Sequence, residues 1–102
     1  MAKALDLRNT KKEFFTLTFK DGKKIFVSMP TKKVFDELSS IDENSEESAD
    51  QIYSALASAL SINKAKKDIT KEYLEKNVDI EDLIVIFKAY VNFVSENANQ
   101  KN

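Results

Sequence analysis

Residues 80–94 read IEDLIVIFKAYVNFV, and this stretch decides the fold of the chain. Eleven of its 15 residues are apolar, and their spacing at roughly 100° per residue predicts an α-helix. Glu81, Lys88 and Asn92 form one narrow polar stripe, so the apolar arc spans about 200°, about twice what a surface helix needs to face a core. Such a helix is either sandwiched between other elements or reserved for another chain.

The apolar arc of this helix has two flanks. The first flank is expected to face the core and consists of Ile84, Phe87, Val91 and Val94. The second flank lies about 100° away on the helix and consists of Ile86, Ala89, Tyr90 and Phe93. If these four residues are exposed, they form an apolar patch of several hundred Å², which on a soluble protein marks a binding surface. A sandwiched core helix and a partner surface therefore remain as alternatives, and the second flank is the predicted partner-binding site.

Ahead of the helix, residues 14–29 predict a β-hairpin, because apolar and polar residues alternate on both sides of the only glycine, Gly22. A type I turn with a bulge at Gly22 collects the apolar residues of both strands on one face, as a half-buried sheet requires. The predicted opposed pairs are Phe19 with Lys23, Leu17 with Ile25, and Phe15 with Val27. Phe14 and Phe26 then lie on the opposite face of the hairpin, where another element must pack against them if they are to be buried.

Four helices are predicted after the hairpin, over residues 31–41, 48–62, 70–76 and 79–95. Three of these ranges begin with a good N-cap residue, namely Thr31, Thr70 and Asp79. The predicted fold class is therefore α+β and mostly α, in a single domain over residues 1–102. The terminal segments 1–12 and 96–102 are polar or of mixed character and are expected to be flexible.

The composition argues against an enzyme. The chain contains neither cysteine nor histidine, which excludes disulfides, thiolate and imidazole metal ligands, and a histidine-activated serine. Its one glycine is used by the hairpin turn, so a glycine-rich phosphate loop is excluded as well. We therefore expect no catalytic residues, no metal site and no cofactor. The chain also lacks an apolar run of about 20 residues, so no membrane partner is expected.

The charges are sorted along the chain. Residues 1–33 hold nine basic and three acidic residues, whereas residues 34–52 hold seven acidic residues and no basic one. We call residues 1–33 the basic front. It could bind the phosphates of nucleic acid, as in a nucleic-acid-binding regulator, but only one of its basic residues is arginine, the residue that such sites favour. Alternatively, the basic segment 1–33 of one copy of the chain could attract the acidic segment 34–52 of another copy. The residues predicted for such self-association are Phe14, Phe26, Lys32, Lys33, Asp42 and Glu43.

Two local patterns carry a resemblance to a known family. The first is the hairpin that leads into a capped helix, with FTLTFKDG at residues 15–22 and VSMPT at residues 27–31. The second is a helix that ends in ASALSIN at residues 57–63, followed by VDIEDL at residues 78–83 and AYVNFV at residues 89–94. Over most of residues 14–95 the chain resembles the small tail assembly chaperones of long-tailed bacteriophages, particularly those that infect Gram-positive bacteria.

The resemblance implies a specific function. Such chaperones bind the long, helical tape measure protein, keep it soluble in the cytoplasm of the infected host, and are absent from the finished virion. They act as multimers, and a longer form made by ribosomal frameshifting recruits the tail tube protein. The alternatives are the nucleic-acid-binding regulator, a structural tail or capsid accessory subunit, and a homodimer of unknown purpose.

Overall fold

The computed structural model of the protein describes residues 5–9, 12–42 and 48–98. It confirms the predicted order of a two-stranded antiparallel hairpin followed by four helices. A short 3₁₀ helix, Leu7–Asn9, precedes the hairpin. The strands are β1 (Phe15–Thr18) and β2 (Lys24–Val27), and the helices are α1 (Lys32–Ser39), α2 (Ser48–Leu60), α3 (Lys71–Asn77) and α4 (Ile80–Ala98).

The hairpin has the predicted register. Phe15 lies opposite Val27 and Leu17 opposite Ile25, so the apolar residues of both strands share one face. The Phe19 amide donates to the Lys23 carbonyl at 2.8 Å, and the Gly22 amide donates to the Phe19 carbonyl at 2.9 Å. Gly22 has a φ of +92°, in the region that side chains disfavour. The bulged turn is therefore confirmed.

The outer edge of β2 is closed by the segment that follows α2. The Ser28 amide donates to the Ile62 carbonyl at 2.8 Å, and the Lys64 amide donates to the Phe26 carbonyl at 2.9 Å. Val27 and Asn63 form an isolated antiparallel bridge between these two bonds. This pairing was not predicted from the sequence, and it leaves β1 as the outer strand of the sheet.

The helices begin at the predicted caps. The Thr31 hydroxyl accepts from the Val34 amide at 3.4 Å, and the Thr70 hydroxyl accepts from the Tyr73 amide at 3.0 Å. At the start of α4, the Asp79 carboxylate accepts from the amide three residues on at 2.7 Å. These bonds satisfy amides that have no partner within the first turn of a helix.

All four helices end at other residues than predicted, and α3 differs by only one residue, since it ends at Asn77. α1 stops at Ser39, two residues early, where the Ser40 hydroxyl donates to the Glu37 carbonyl at 3.0 Å and the Ile41 amide bonds to the Leu38 carbonyl instead. α2 stops at Leu60, because the following residues turn to pair with β2. α4 runs through Ala98, and the Asn97 side chain donates to the Phe93 carbonyl at 2.8 Å. Residues 96–98 are therefore helical, whereas residues 1–4, 10–11 and 99–102 of the two terminal segments lie outside the described part of the chain, and the expected flexibility of the termini stays a prediction.

α2 packs against each of the other three helices, and α4 lies between α2 and the hairpin strand β1 in its contacts. The Phe15 ring of the hairpin lies against Tyr90 of α4. The side chains of α4 that are less than a tenth exposed form one broad stripe: Leu83, Ile86, Phe87, Tyr90 and Val94. Full burial of a large apolar side chain contributes about 1.5–3 kcal/mol, so this stripe is a main source of stability. The sandwiched alternative therefore describes this stripe of α4, while Val91 and Phe93 beside it are only half-buried and Ala89 is exposed.

Candidate protein-binding surfaces

Two of the four predicted partner-binding residues lie in the core. Tyr90 is fully buried, its ring meets that of Phe15 edge-on at 5.4 Å between centroids, and its hydroxyl donates to the Ser28 carbonyl at 3.3 Å. Burial raises the pKa of the Tyr90 hydroxyl well above its ordinary value. Ile86 is 8% exposed. The expectation that Ile86 and Tyr90 face a partner is therefore corrected, because the hairpin covers them.

The other two predicted residues remain at the surface. Ala89 is exposed, and Phe93 is half-buried with its ring 5.7 Å from that of Phe15. Val85, which is 65% exposed, falls on the same line of α4 at a spacing of four residues. We call Val85, Ala89 and Phe93 the edge flank of α4. The sequence carried a signal for Val85, since it is the one large apolar side chain within the polar stripe.

The edge flank borders β1, the outer strand of the sheet. A groove of about 250 Å³ separates them, and its apolar lining includes Leu17, Val78, Val85 and Ile86. The Lys20 ammonium and the Asp82 carboxylate close one end of this groove with an ion pair at 2.9 Å. The structure thus places the exposed part of the predicted second flank beside a strand edge that no other strand of the described residues covers, an arrangement that local sequence patterns do not predict.

A second groove runs between α1 and α4. Its apolar residues are Leu38, Ile41, Phe87 and Val91, its rim consists of Ser39, Lys88 and Asn92, and its volume is about 350 Å³. We call it the α1–α4 groove. Leu38 and Phe87 are buried and form the floor, while Ile41 and Val91 are half-buried and form the walls. Val91 was expected to face the core, but α1 ends at Ser39 and is too short to cover it.

The predicted self-association residues are dispersed. Phe14 is half-buried with the Lys64 ammonium 5.8 Å from its ring centre, and Phe26 is 42% exposed on the hairpin face away from α4. Lys32 pairs with the Asp36 carboxylate at 2.7 Å. Lys33 and Asp42 are also exposed, and Glu43 lies outside the described residues. Self-association through these residues stays a prediction.

The basic front is partly neutralised by its neighbours. Lys20 and Lys32 each donate a hydrogen bond to a carboxylate, of Asp82 and of Asp36 respectively, and these bonds raise the pKa of the two lysines. The Lys23 ammonium lies 4.7 Å from the centre of the Tyr73 ring. An exposed ion pair of this kind contributes about 0–1 kcal/mol to stability, so a phosphate group could take the place of the carboxylate beside the lysine. No feature of their geometry favours a nucleic-acid site over a solvated surface.

Within residues 5–9, 12–42 and 48–98, no group of three or more acidic side chains converges in a way that could hold a metal ion. No helix in that part of the chain has both the length and the apolar character needed to cross a membrane. Comparisons with protein-family models, with curated proteins and with solved structures found no match to the chain.

Proposed function

We propose that this protein is a phage tail assembly chaperone that binds the tape measure protein and keeps it soluble during tail assembly. The observation that carries the proposal is the α1–α4 groove, with its buried floor, half-exposed apolar walls and polar rim. A helical partner pairs its backbone groups within itself and offers mainly side chains, so it suits a groove lined by side chains of α4, of α1 and of Ile41 just after α1. The tape measure protein is such a partner in the family that this chain resembles.

The size of the groove sets the expected strength of binding. A groove of about 350 Å³ accepts one or two apolar side chains of a passing helix. Their burial supplies about 1.5–3 kcal/mol each, from which the cost of association is subtracted. One copy therefore binds weakly, and stable coating of a long rod requires many copies that act together. Weak single contacts also allow the copies to leave one at a time when tube subunits replace them.

The remaining parts of the proposal rest on the resemblance. The chaperone works in the cytoplasm of the infected bacterium and is absent from the mature virion. A longer form, made by ribosomal frameshifting, brings the tail tube protein to the coated tape measure protein.

Substitution of a groove wall by a charged residue is expected to abolish this function. We expect wild-type protein, co-expressed with the tape measure protein encoded nearby, to keep the tape measure protein in the supernatant. Val91→Glu and Ile41→Glu, which place a carboxylate in the groove, are expected to reduce the soluble tape measure protein at least tenfold. The measurement is the amount of tape measure protein in the soluble fraction and its co-purification with the chaperone.

Ile80→Glu is the matched control, because Ile80 is 59% exposed in the first turn of the same helix and does not line the groove. Thermal unfolding of each variant separates lost binding from lost folding. A tape measure protein that is equally soluble with all variants, or insoluble with the wild type, would contradict the proposal. Detection of the protein in purified virions would favour the structural subunit, and salt-dependent DNA or RNA binding would favour the regulator.

A further inference from the structure

The edge of β1 carries backbone groups that point away from the sheet. Phe19 bonds across the hairpin to Lys23, so odd-numbered residues of β1 direct their amides and carbonyls towards β2. By the alternation of an antiparallel pair, the amides and carbonyls of Thr16 and Thr18 point outwards. In the described part of the chain, no group outside the hairpin forms a backbone hydrogen bond with either threonine. An edge of this kind is a template for another strand.

We propose that two copies of this chain pair through their β1 strands, antiparallel and about a two-fold axis at Leu17, to form a four-stranded sheet. The sequence of the strand and its turn entry, Phe15-Thr16-Leu17-Thr18-Phe19, reads the same in both directions. A two-fold axis at Leu17 therefore places Thr16 of one copy opposite Thr18 of the other. These are the residues whose amides and carbonyls point outwards, so the backbone pairing needs no shift of register.

In this dimer the side chains of the two β1 strands also lie beside residues with which they pack favourably. The threonines of the two copies adjoin on the exposed face, where cross-strand threonine pairs are favourable. Phe15 and Phe19 of opposite copies adjoin on the face that covers α4. Leu17 and Phe15 belong to the core face of the hairpin but are only half-buried, since β1 has no neighbour on its outer side. A second β1 would supply that neighbour.

The edge flank of α4 fits the same symmetry. α4 runs alongside β1, with Asp82 beside Lys20 at one end of the strand and Phe93 beside Phe15 at the other. Leu17 is therefore level with the middle of the edge flank, near Ala89. Two-fold pairing brings the Ala89 residues of both copies together and sets Val85 of each copy against Phe93 of the other.

The spacing of strands and helices is compatible with this contact. α4 contacts both arms of its own hairpin, since Tyr90 meets the Phe15 ring and bonds to the Ser28 carbonyl. Strands of a sheet lie about 4.8 Å apart, so two hairpins side by side, each with α4 beneath its middle, place the two α4 helices about 10 Å apart. Packed helices lie 8–10 Å apart, and the small side chain of Ala89 permits the closer end of that range. Burial of Val85, which is 65% exposed in the single chain, would follow. A single surface that is complementary to itself is what a closed two-fold dimer requires.

Thr18→Pro tests the backbone pairing, because it removes an outward amide without removing a bond within the hairpin. Lys24→Pro is the matched control, since Lys24 lies opposite Thr18 and its amide also points outwards, but from β2. Size-exclusion chromatography with light scattering on the full chain, alone and over a range of concentrations, measures the dimer dissociation constant. We expect a wild-type dimer, at least tenfold weaker association for Thr18→Pro, and wild-type behaviour for Lys24→Pro.

Val85→Glu tests the helix contact independently of the strand, with Ile80→Glu as its control on the same helix. We expect Val85→Glu to weaken the dimer at least tenfold and Ile80→Glu to leave it unchanged. Amide hydrogen exchange of Thr16 and Thr18 should slow as the concentration rises. A monomeric wild type, an oligomer that survives both Thr18→Pro and Val85→Glu, or threonine amides protected equally at all concentrations would overturn the proposal. None of these measurements involves the tape measure protein.

Discussion

Replacement of Tyr90 by alanine is expected to lower the free energy of unfolding by about 3–5 kcal/mol, the usual range for removal of a large buried aromatic side chain. Tyr90 is fully buried beneath the hairpin, where its ring meets Phe15 edge-on and stacks with Phe93. Its removal leaves a cavity between α4 and the sheet. Small domains have total stabilities of about 5–15 kcal/mol, so this substitution removes a large share. Urea denaturation followed by circular dichroism measures the change.

Two neighbouring variants show which part of Tyr90 matters. Tyr90→Phe keeps the ring and loses only the 3.3 Å hydrogen bond to Ser28, with an expected cost of about 0.5–1.5 kcal/mol. Ala89→Ser changes the adjacent exposed residue and should stay within about 0.5 kcal/mol of wild type. If Tyr90→Ala costs no more than Ala89→Ser, Tyr90 lies at the surface and the description of α4 as a sandwiched helix is wrong.

Replacement of Asn63 by alanine is expected to lower the free energy of unfolding by about 1–3 kcal/mol, because one buried and two partly buried backbone groups lose their partners. The Asn63 side-chain amide donates to the Leu60 and Lys67 carbonyls, each at 2.8 Å. Its oxygen accepts from the Lys67 amide, also at 2.8 Å. Asn63 itself is 6% exposed. These bonds fix the turn that closes the outer edge of β2, so the hairpin should loosen together with the turn.

Thermal and urea unfolding measure the cost of this substitution, and hydrogen exchange of the Ser28 and Lys64 amides reports the loosening. Asn63→Asp keeps the acceptor but sets a carboxylate against two carbonyls, so we expect it to be at least as destabilising as alanine. Ser58→Ala, at an exposed site on α2, is the control and should have little effect. A cost below about 0.5 kcal/mol for Asn63→Ala, the level of an ordinary surface substitution, would show that the turn does not depend on Asn63.

Local rules were sufficient for the hairpin and the helix starts. A strand places successive side chains on opposite faces, so the apolar residues on either side of Gly22 permit only one register that collects them together. Thr31 and Thr70 mark helix starts for a similarly local reason, because a cap bonds only to its own first turn. Both features depend on residues within a few positions of each other.

Contacts between distant segments could not be predicted in this way. The pairing of Val27 with Asn63 joins a strand to an irregular turn, and neither residue carries a pattern that specifies the other. The prediction that the first flank of α4 faces the core and the second flank faces a partner was partly wrong for the same reason. A helical wheel gives the width of the apolar arc but not the neighbour on each side, so it could not show that the hairpin covers Tyr90 or that α1 stops short of Val91.

The proposed function requires that the α1–α4 groove receive a helix of the tape measure protein. This can be measured by nuclear magnetic resonance titration of the isotopically labelled protein with synthetic helical peptides from the tape measure protein. We predict saturable shifts of the methyl signals of Leu38, Ile41 and Val91, with the methyl signal of Ile80 unchanged as an internal control. Methyl signals of the groove that do not respond to any of the peptides, or shifts confined to residues outside it, would contradict the claim.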